Sequence, residues 1–195
     1  DLFVVEALFT TVTNVNFDAE RVGGLIRKAA EMRVKAQELY RAAATKAGVA
    51  VEELGGAAAF VPAADLSGLV RQGEEVTIEK RLNEAGPDIT GLEELITYGL
   101  KGASAYLDHA HVLGVEDPAV YAFFHKCMDF LTVSHGVNDL VGMAMEVGKT
   151  NLRVMEMLDG ANTGAYGHPV PTAVRVTPVK GKAILVSGHD LKDLE

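Results

Sequence analysis

Apolar residues recur at helical spacing through the first quarter of the chain. Residues 1–13 carry them at positions 4, 5, 8, 9 and 12, which predicts a short helix. A long amphipathic helix is predicted over residues 19–46, and Gly48 supplies its C-terminal cap. These two helices make part of a bundle, and we expect its remaining helix to lie upstream of Asp1.

A less regular stretch follows. Residues 49–73 contain many alanines and glycines without a clear period, which predicts a long connection with at most a short helix. Residues 74–85 predict another short helix, ended by Gly86 and Pro87. We therefore expect an irregular connection between two helical regions.

Three further helices are predicted in the second half of the chain. A capping box over residues 90–93 starts a helix that runs to about Leu113. Asp117 followed by Pro118 starts a second helix, and a third spans about residues 138–158. Because the joins are short, these helices predict an antiparallel three-helix bundle. Small residues on one side of its first helix allow another helix to approach closely, namely Gly99, Gly102 and Ala103.

The pattern changes at the C-terminal end. Residues 183–187 form a short apolar run rich in β-branched side chains, which predicts a buried strand of a parallel sheet. Asp190 would then cap the start of a helix. We expect this strand and helix start to open an α/β domain that is truncated here. The alternative is an edge strand on a helical domain.

The predicted fold class is mainly α. It combines an antiparallel three-helix bundle with part of a second bundle and ends in the first strand and helix start of a truncated α/β domain. The expected units are an incomplete N-terminal bundle, an irregular connection, the three-helix bundle, a crossing segment and the α/β start. Their predicted ranges are 1–48, 49–89, 90–159, 160–178 and 179–195.

Composition narrows the function classes. The net charge is -9 and basic clusters are absent, so nucleic-acid and anionic-membrane partners are not expected. No apolar stretch reaches the ~18 residues of a membrane-spanning helix. Cys127 is the single cysteine, which excludes an intrachain disulfide and fits a reducing, cytoplasmic location.

Several residues suggest a chemical role, but the residues around them in the sequence argue against it. Gly148-Lys149-Thr150 resembles the end of a phosphate loop, but position 143 is Met where that loop needs glycine. His109 and His111 lie two apart on a helix and cannot share a ligand face, although His111 could touch Asp108. Cys127 has no second thiol nearby, which favours a buried filler.

Two places keep a functional interpretation open. A polar cluster stands at the end of the first helix: Thr10, Thr11, Thr13, Asn14 and Asn16. It is either a helix cap and turn or the polar lining of a cavity formed with another domain. His189 follows the C-terminal end of the predicted strand, which is the sheet edge where ligands bind in open α/β sheets. It is either a ligand of a transition metal or a structural residue.

Four stretches, in this order, resemble the hybrid-cluster (prismane) proteins, also called hydroxylamine reductases. They are LFTTVTNVNFD at 8–18, YGLKGASAY with a following His-Ala pair at 98–110, LDGANTGAYGHP at 158–169 and GKAILVSGHDLKDL at 181–194. The resemblance covers the helical N-terminal region of that family and the start of its first α/β domain. It is weakest over residues 49–86.

The resemblance implies a fold of two three-helix bundles followed by two α/β domains. It implies a cubane iron–sulfur cluster and a hybrid iron–sulfur–oxygen cluster in the full-length protein. His189 matches the family's histidine ligand of the hybrid cluster iron, and Thr13 matches a threonine that lines the substrate cavity. The other cluster ligands fall outside this sequence, so we expect the 195 residues alone to bind no cluster and to be inactive.

The function implied is reduction of hydroxylamine to ammonia and water, with nitric oxide as another candidate substrate and a redox protein as electron donor. No side chain stores electrons, so this chemistry requires a redox metal centre. Two alternatives stay open. One is a helical interaction module without catalysis, and the other is a relative of the carbon monoxide dehydrogenases.

Overall fold

A computed structural model describes residues 1–12, 17–186 and 192 of the chain. The chain is mainly helical, and no β-strand is present among these residues. Six α-helices occur in the order α1 (Leu2–Thr10), α2 (Ala19–Ala47), α3 (Leu66–Glu74), α4 (Ile78–Val112), α5 (Pro118–Phe130) and α6 (Val137–Tyr166). Gly48 ends α2 with φ of 69°, as its sequence position predicts.

One apolar core joins four of the helices. Helix α4 packs most extensively on α6, and α1 packs on α4. Helix α5 adds Phe124 and Cys127, and α1 adds Val5 to the same buried cluster. Such burial of aliphatic and aromatic side chains is worth about 1.5–3 kcal/mol for each of the larger ones. The core therefore holds α1 together with the three helices of the second half of the chain.

Helices α4 and α6 approach each other closely at a glycine. A Cβ atom built on Gly99 would lie 2.9 Å from Cγ1 of Val147, which is shorter than real contacts of this kind. The absence of a side chain at Gly99 is thus what lets α6 lie so near. The sequence predicted this approach from the small residues on that side of the helix.

Two contacts fix the relative direction of these helices. Val147 lies opposite Gly99, and further along α6, Arg153 Nε is 3.1 Å from Oδ2 of Asp117, which lies beyond the C-terminal end of α4. Helices α4 and α6 therefore run in the same direction. Helix α5 packs on α6, so these contacts support the predicted bundle in part.

Helix α4 combines the predicted short helix before Gly86 with the helix predicted from residue 90, and the break between its two parts lies where the sequence predicted the first helix to end. Gly86 has φ of 81°, and Pro87 starts the second part of the helix. Thr90 is only 1% exposed and lies inside the helix, so the predicted capping box is wrong. The physical reason is that proline suits a first helical position better than an interior one, which moves the first helical residue from Gly91 back to Pro87. An ion pair between Arg81 and Glu94 spans the break.

Helix α6 runs further than predicted. We expected it to end at Leu158, but it continues to Tyr166 through two glycines. Asn162 Nδ2 donates to the carbonyl of Leu158 at 3.2 Å, and Thr163 Oγ1 donates to the carbonyl of Asp159 at 2.7 Å. These side chains bond within the helix instead of leading the chain out of it. Residues 160–166, which the prediction assigned to the crossing segment, therefore belong to α6.

The predicted strand is not observed. Residues 183–186 have no regular structure, and Ile184 and Leu185 are 90% and 99% exposed. A buried-type strand requires neighbouring strands to satisfy its backbone, and the described residues contain none. Ser187 and the predicted helix start at Asp190 lie outside the described residues.

The long connection after α2 lies along one side of that helix. Arg27 Nη2 donates to the carbonyl of Ala64 at 3.0 Å, and Gln37 Nε2 donates to the carbonyl of Ala58 at 2.8 Å. Arg33, between them on the helix, donates in the same way to the carbonyl of Phe60. The connection therefore runs back along α2 instead of looping freely into solvent.

Candidate functional site

The two residues predicted to serve the site directly are Thr13 and His189, and both lie outside the described residues. The same holds for Asn14 and Asn16 of the predicted polar cluster. Near the predicted site, the structure therefore describes the end of α1 and the start of α2, which flank residues 13–16 in the chain.

The hydroxyls that precede Thr13 are bound at the end of α1. Thr10 Oγ1 donates to the carbonyl of Glu6 at 2.8 Å, and Thr11 Oγ1 donates to the carbonyl of Leu8 at 2.8 Å. These bonds satisfy carbonyls at the helix end, which is a capping role. For Thr11 the structure thus favours the cap-and-turn interpretation, while Thr10 also borders a cavity.

This cavity has a volume of about 550 Å³ and lies where α1 ends, α2 begins and α4 passes beside them. Its wall combines apolar and charged side chains, with Phe9 and Asp108 brought together from α1 and α4. The full lining is Glu6, Phe9, Thr10, Phe17, Asp18, Arg21, Val22, Leu25 and Asp108. A small polar molecule fits its size and mixed wall, which makes it a candidate site.

Aromatic packing shapes one end of the cavity. The ring of Phe9 meets the ring of His109 edge to face, with 5.6 Å between centroids. Sequence reasoning missed that Phe9 and Asp108 share this wall. Phe9 belongs to the apolar stripe of one helix, and Asp108 is a polar residue of another, so periodicity offers no signal that joins them.

The two histidines of α4 do not share a ligand position. His109 faces Phe9, whereas His111 Nδ1 is 2.7 Å from Oε1 of Glu116. The spacing allowed His111 to contact Asp108, and the structure shows that His111 contacts Glu116. Burial, together with the Glu116 carboxylate, raises the pKa of Tyr121 in the same cluster. Glu116 lies in the loop before α5, so no helical spacing rule pairs it with His111.

Cys127 is a core residue. It is fully buried, and burial raises the pKa of its thiol to about 11. A thiol with this pKa is almost entirely protonated at neutral pH, whereas nucleophiles and iron ligands are thiolates. The prediction of a small buried filler agrees with this environment.

The remaining sequence candidates have structural explanations. Gly148, Lys149 and Thr150 lie inside α6, where Lys149 Nζ pairs with Glu146 Oε1 at 2.5 Å. A phosphate loop would require a turn between a strand and a helix at this point.

Within residues 1–12, 17–186 and 192, no three His, Cys, Asp or Glu side chains are grouped so that they could hold a metal ion. These residues by themselves do not fit an iron–sulfur cluster. None of the helices described is both long and apolar enough to cross a bilayer.

Comparison with known proteins extends this picture over the whole chain. The Prismane/CO dehydrogenase family matches residues 1–195. A protein named hydroxylamine reductase from Burkholderia lata is 49% identical over 195 residues, which is 100% of this chain and 35% of that protein. Proteins of the same name from Syntrophobacter fumaroxidans and Geobacter sulfurreducens are 48% and 47% identical, again with 100% of this chain and 35% and 36% of theirs covered.

The chain spans about 35% of the length of the curated relatives that it matches. The chain is mainly helical, and it aligns from end to end with about a third of each of these longer proteins. It therefore corresponds to a helical portion of proteins of this class. It belongs to the prismane/CO dehydrogenase family.

Proposed function

We propose that this chain is part of an iron–sulfur oxidoreductase that reduces hydroxylamine to ammonia and water. The observation that carries the proposal is 49% identity along all 195 residues to a protein named hydroxylamine reductase. The reaction takes up two electrons and two protons, breaks the N–O bond and releases ammonia and water. Identity of this level over the full chain supports a shared reaction more strongly than a shared fold alone.

The electrons require a redox centre that the described residues do not hold. We assign this role to a cubane iron–sulfur cluster and a hybrid iron–sulfur–oxygen cluster in the full-length protein. His189 is proposed as a ligand of the hybrid cluster iron. One imidazole cannot hold a cluster, so further ligands come from other parts of the protein, and the 195 residues alone are expected to be inactive.

The described helices are proposed to form one wall of the substrate path. Residues 13–16 lie between Thr10 and Phe17 in the chain, and both of these residues line the cavity. Thr13 is therefore proposed to line the same space. Its wall contains the apolar side chains of Phe9 and Leu25 together with carboxylates. Such a wall offers both apolar and polar groups to a small polar substrate.

The organisation of the full-length protein forms part of the proposal. Residues 1–48 belong to an incomplete bundle, 49–89 to a connection and 90–159 to a three-helix bundle. Residues 160–178 lead into an α/β domain that begins at 179, whose further strands lie in the rest of the protein. We propose a cytoplasmic location, with a redox protein as electron donor and without nucleic-acid or membrane partners.

Carbon monoxide dehydrogenase activity is the second candidate. The family description includes these enzymes, which favours keeping it. The relatives compared here are all named hydroxylamine reductase, which favours the first candidate. Nitric oxide reduction is a third possibility within the same redox class, and a helical interaction module without catalysis is a fourth.

The test uses the full-length protein, produced without oxygen. Hydroxylamine-dependent oxidation of a reduced viologen dye is measured together with the iron content, for the wild type, His189→Ala and Thr13→Ala. We expect His189→Ala to lose both activity and part of the iron, and Thr13→Ala to lose activity with its iron retained. His111→Ala, which removes a histidine bonded to Glu116 far from these residues in sequence, is the matched control.

Three outcomes would count against the proposal. A His189→Ala variant with unchanged activity and iron would remove the ligand assignment. A wild type loaded with iron but unable to reduce hydroxylamine would overturn the reaction, and carbon monoxide and nitric oxide would then be assayed. Loss of activity in His111→Ala equal to that of His189→Ala would show that the effect is not specific.

A further inference from the structure

Five apolar side chains form a row along an exposed side of α6. They lie at intervals of four, four, seven and three residues, which places them on one stripe of a helix. Each is between 45% and 63% exposed. We call this the α6 apolar row: Val137, Val141, Met145, Leu152 and Met155.

A glycine fills the long interval of the row. Gly148 lies between Met145 and Leu152, and a Cβ atom added to it would meet no described atom within 4 Å. Glycine weakens a helix interior, so its presence calls for a reason. At Gly99 that reason is the contact with Val147, but at Gly148 the described residues offer none. A surface pressed closely against the helix backbone would supply it.

Helix α4 has a second row of the same kind. Leu95, Tyr98 and Tyr106 are 60%, 51% and 45% exposed, and Gly102 lies between the two tyrosines with open space beside it. Two core helices thus each present an exposed stripe that contains bulky apolar side chains and a glycine with nothing against it. Contiguous exposed apolar surface of this kind marks an interaction site.

We propose that the α6 apolar row is an interface with the part of the full-length polypeptide that lies outside these 195 residues. The relatives that match the whole chain devote only about 35% of their length to it, so most of each protein is available to cover the row. The occupant is a folded, apolar surface that reaches the backbone at Gly148.

The size of the row favours this occupant over a second copy of the chain. A stable dimer buries about 800 Å² on each partner, from some 20–30 residues a side. A row of five side chains is far short of that. A segment of the same polypeptide needs less contact area, because the covalent link gives it an effective concentration on the order of mM.

This inference rests on the family match and the helix surface, not on the proposed reaction. Its test can therefore fail while hydroxylamine reduction stands, and the reverse also holds. The test measures whether the row is covered in the full-length protein.

Engineered cysteines report on that coverage. Met145→Cys and Leu152→Cys are made singly in the full-length protein. Glu146→Cys is the matched control because Glu146 is 50% exposed on the same helix and lies about 140° around the axis from Val141 of the row. Alkylation by N-ethylmaleimide is followed by mass spectrometry of peptides from residues 137–166, which separates these thiols from the protein's other cysteines. We expect the two row cysteines to react at least about tenfold more slowly than the control in the folded protein, and at equal rates in urea.

Two results would overturn the inference. One is alkylation of the row cysteines as fast as that of the control in the folded, full-length protein. The other is protection that disappears on dilution together with a dimer in sedimentation, which would assign the row to a second copy. Hydroxyl-radical footprinting of the native Met145 and Met155 provides the same measurement without substitution, so a variant that folds poorly does not decide the matter.

Discussion

Arg153 of α6 donates to the carboxylate of Asp117 across 3.1 Å, although 36 residues separate them. The same carboxylate accepts from the backbone N–H of Ala119 at 3.0 Å and so caps α5. One side chain therefore both starts α5 and binds it to α6. Its hydrogen bonds to Ala119 and Arg153 lower the pKa of Asp117 below its ordinary value.

Replacement of Asp117 by alanine is expected to lower the free energy of unfolding of the chain. Loss of an N-cap costs about 1 kcal/mol, and loss of a partly exposed ion pair adds at most about 1 kcal/mol. Urea unfolding followed by circular dichroism measures the change. Asp129→Ala in the same helix is the control and should change stability by less than about 0.5 kcal/mol. Equal effects of the two variants would contradict the dual role of Asp117.

The contribution of Asp117 should depend on pH. Because its pKa is lowered on folding, the stabilisation is present above the ordinary value of 3.8 and is lost as the pH falls through the folded-state pKa. Urea midpoints of the wild type and Asp117→Asn, measured from pH 7 to pH 2.5, test this. Asparagine retains a capping oxygen but does not titrate, so the gap between the two proteins should close at the acid end. A constant gap would mean that the charge of Asp117 does not matter.

Gly99→Ala should destabilise the chain even though alanine is the better helix former. The added methyl group would lie 2.9 Å from Val147 Cγ1, and overpacking of this kind costs about 1–3 kcal/mol. Gly91→Ala serves as the control because open space surrounds that position, and it should gain up to about 1 kcal/mol. Thermal unfolding of both variants gives the two signs. Addition of Val147→Ala to Gly99→Ala should recover part of the loss, and no recovery would place the strain elsewhere.

Cys127 should resist alkylation while the chain is folded. Its pKa of about 11 lies about two units above the model-peptide value of 9.0, so the thiolate fraction at pH 8 is roughly a hundredfold lower than for a free cysteine. Burial slows the reaction further. Reaction with iodoacetamide, followed by mass spectrometry in buffer and in urea, measures the ratio. Rapid labelling in buffer would mean that the core around α5 opens readily.

The sequence indicated most helices because their signals are local. The period of α2, its Gly48 cap and the Asp117-Pro118 start of α5 all lie within a few residues of the feature that they predict. The break at Gly86 was predicted, but the start of the second part of α4 was misplaced because two local signals competed, and Pro87 outweighed the polar pattern around Thr90. Local rules cannot rank such competitors without the packing that buries one of them.

The site was less accessible to prediction for a different reason. Phe9 and Asp108 are separated by almost a hundred positions, and the wall that they share exists only once α1 packs on α4. The resemblance to a family singled out Thr13 and His189 and implied a substrate cavity, but it did not identify Phe9 or Asp108 as part of a cavity wall. Contacts between distant elements depend on shape, and hydrophobic periodicity carries little information about shape.

The hydrogen bonds between α2 and the connection use different kinds of groups on their two sides, and this difference affects how freely each side can change in sequence. From the helix they use particular side chains, Arg27, Arg33 and Gln37, whereas from the connection they use backbone carbonyls. Every amino acid, proline included, has a carbonyl. We therefore expect the connection to accumulate substitutions freely between species while keeping its path, and the three helix positions to change rarely. A stretch that diverges in sequence can in this way remain constant in structure.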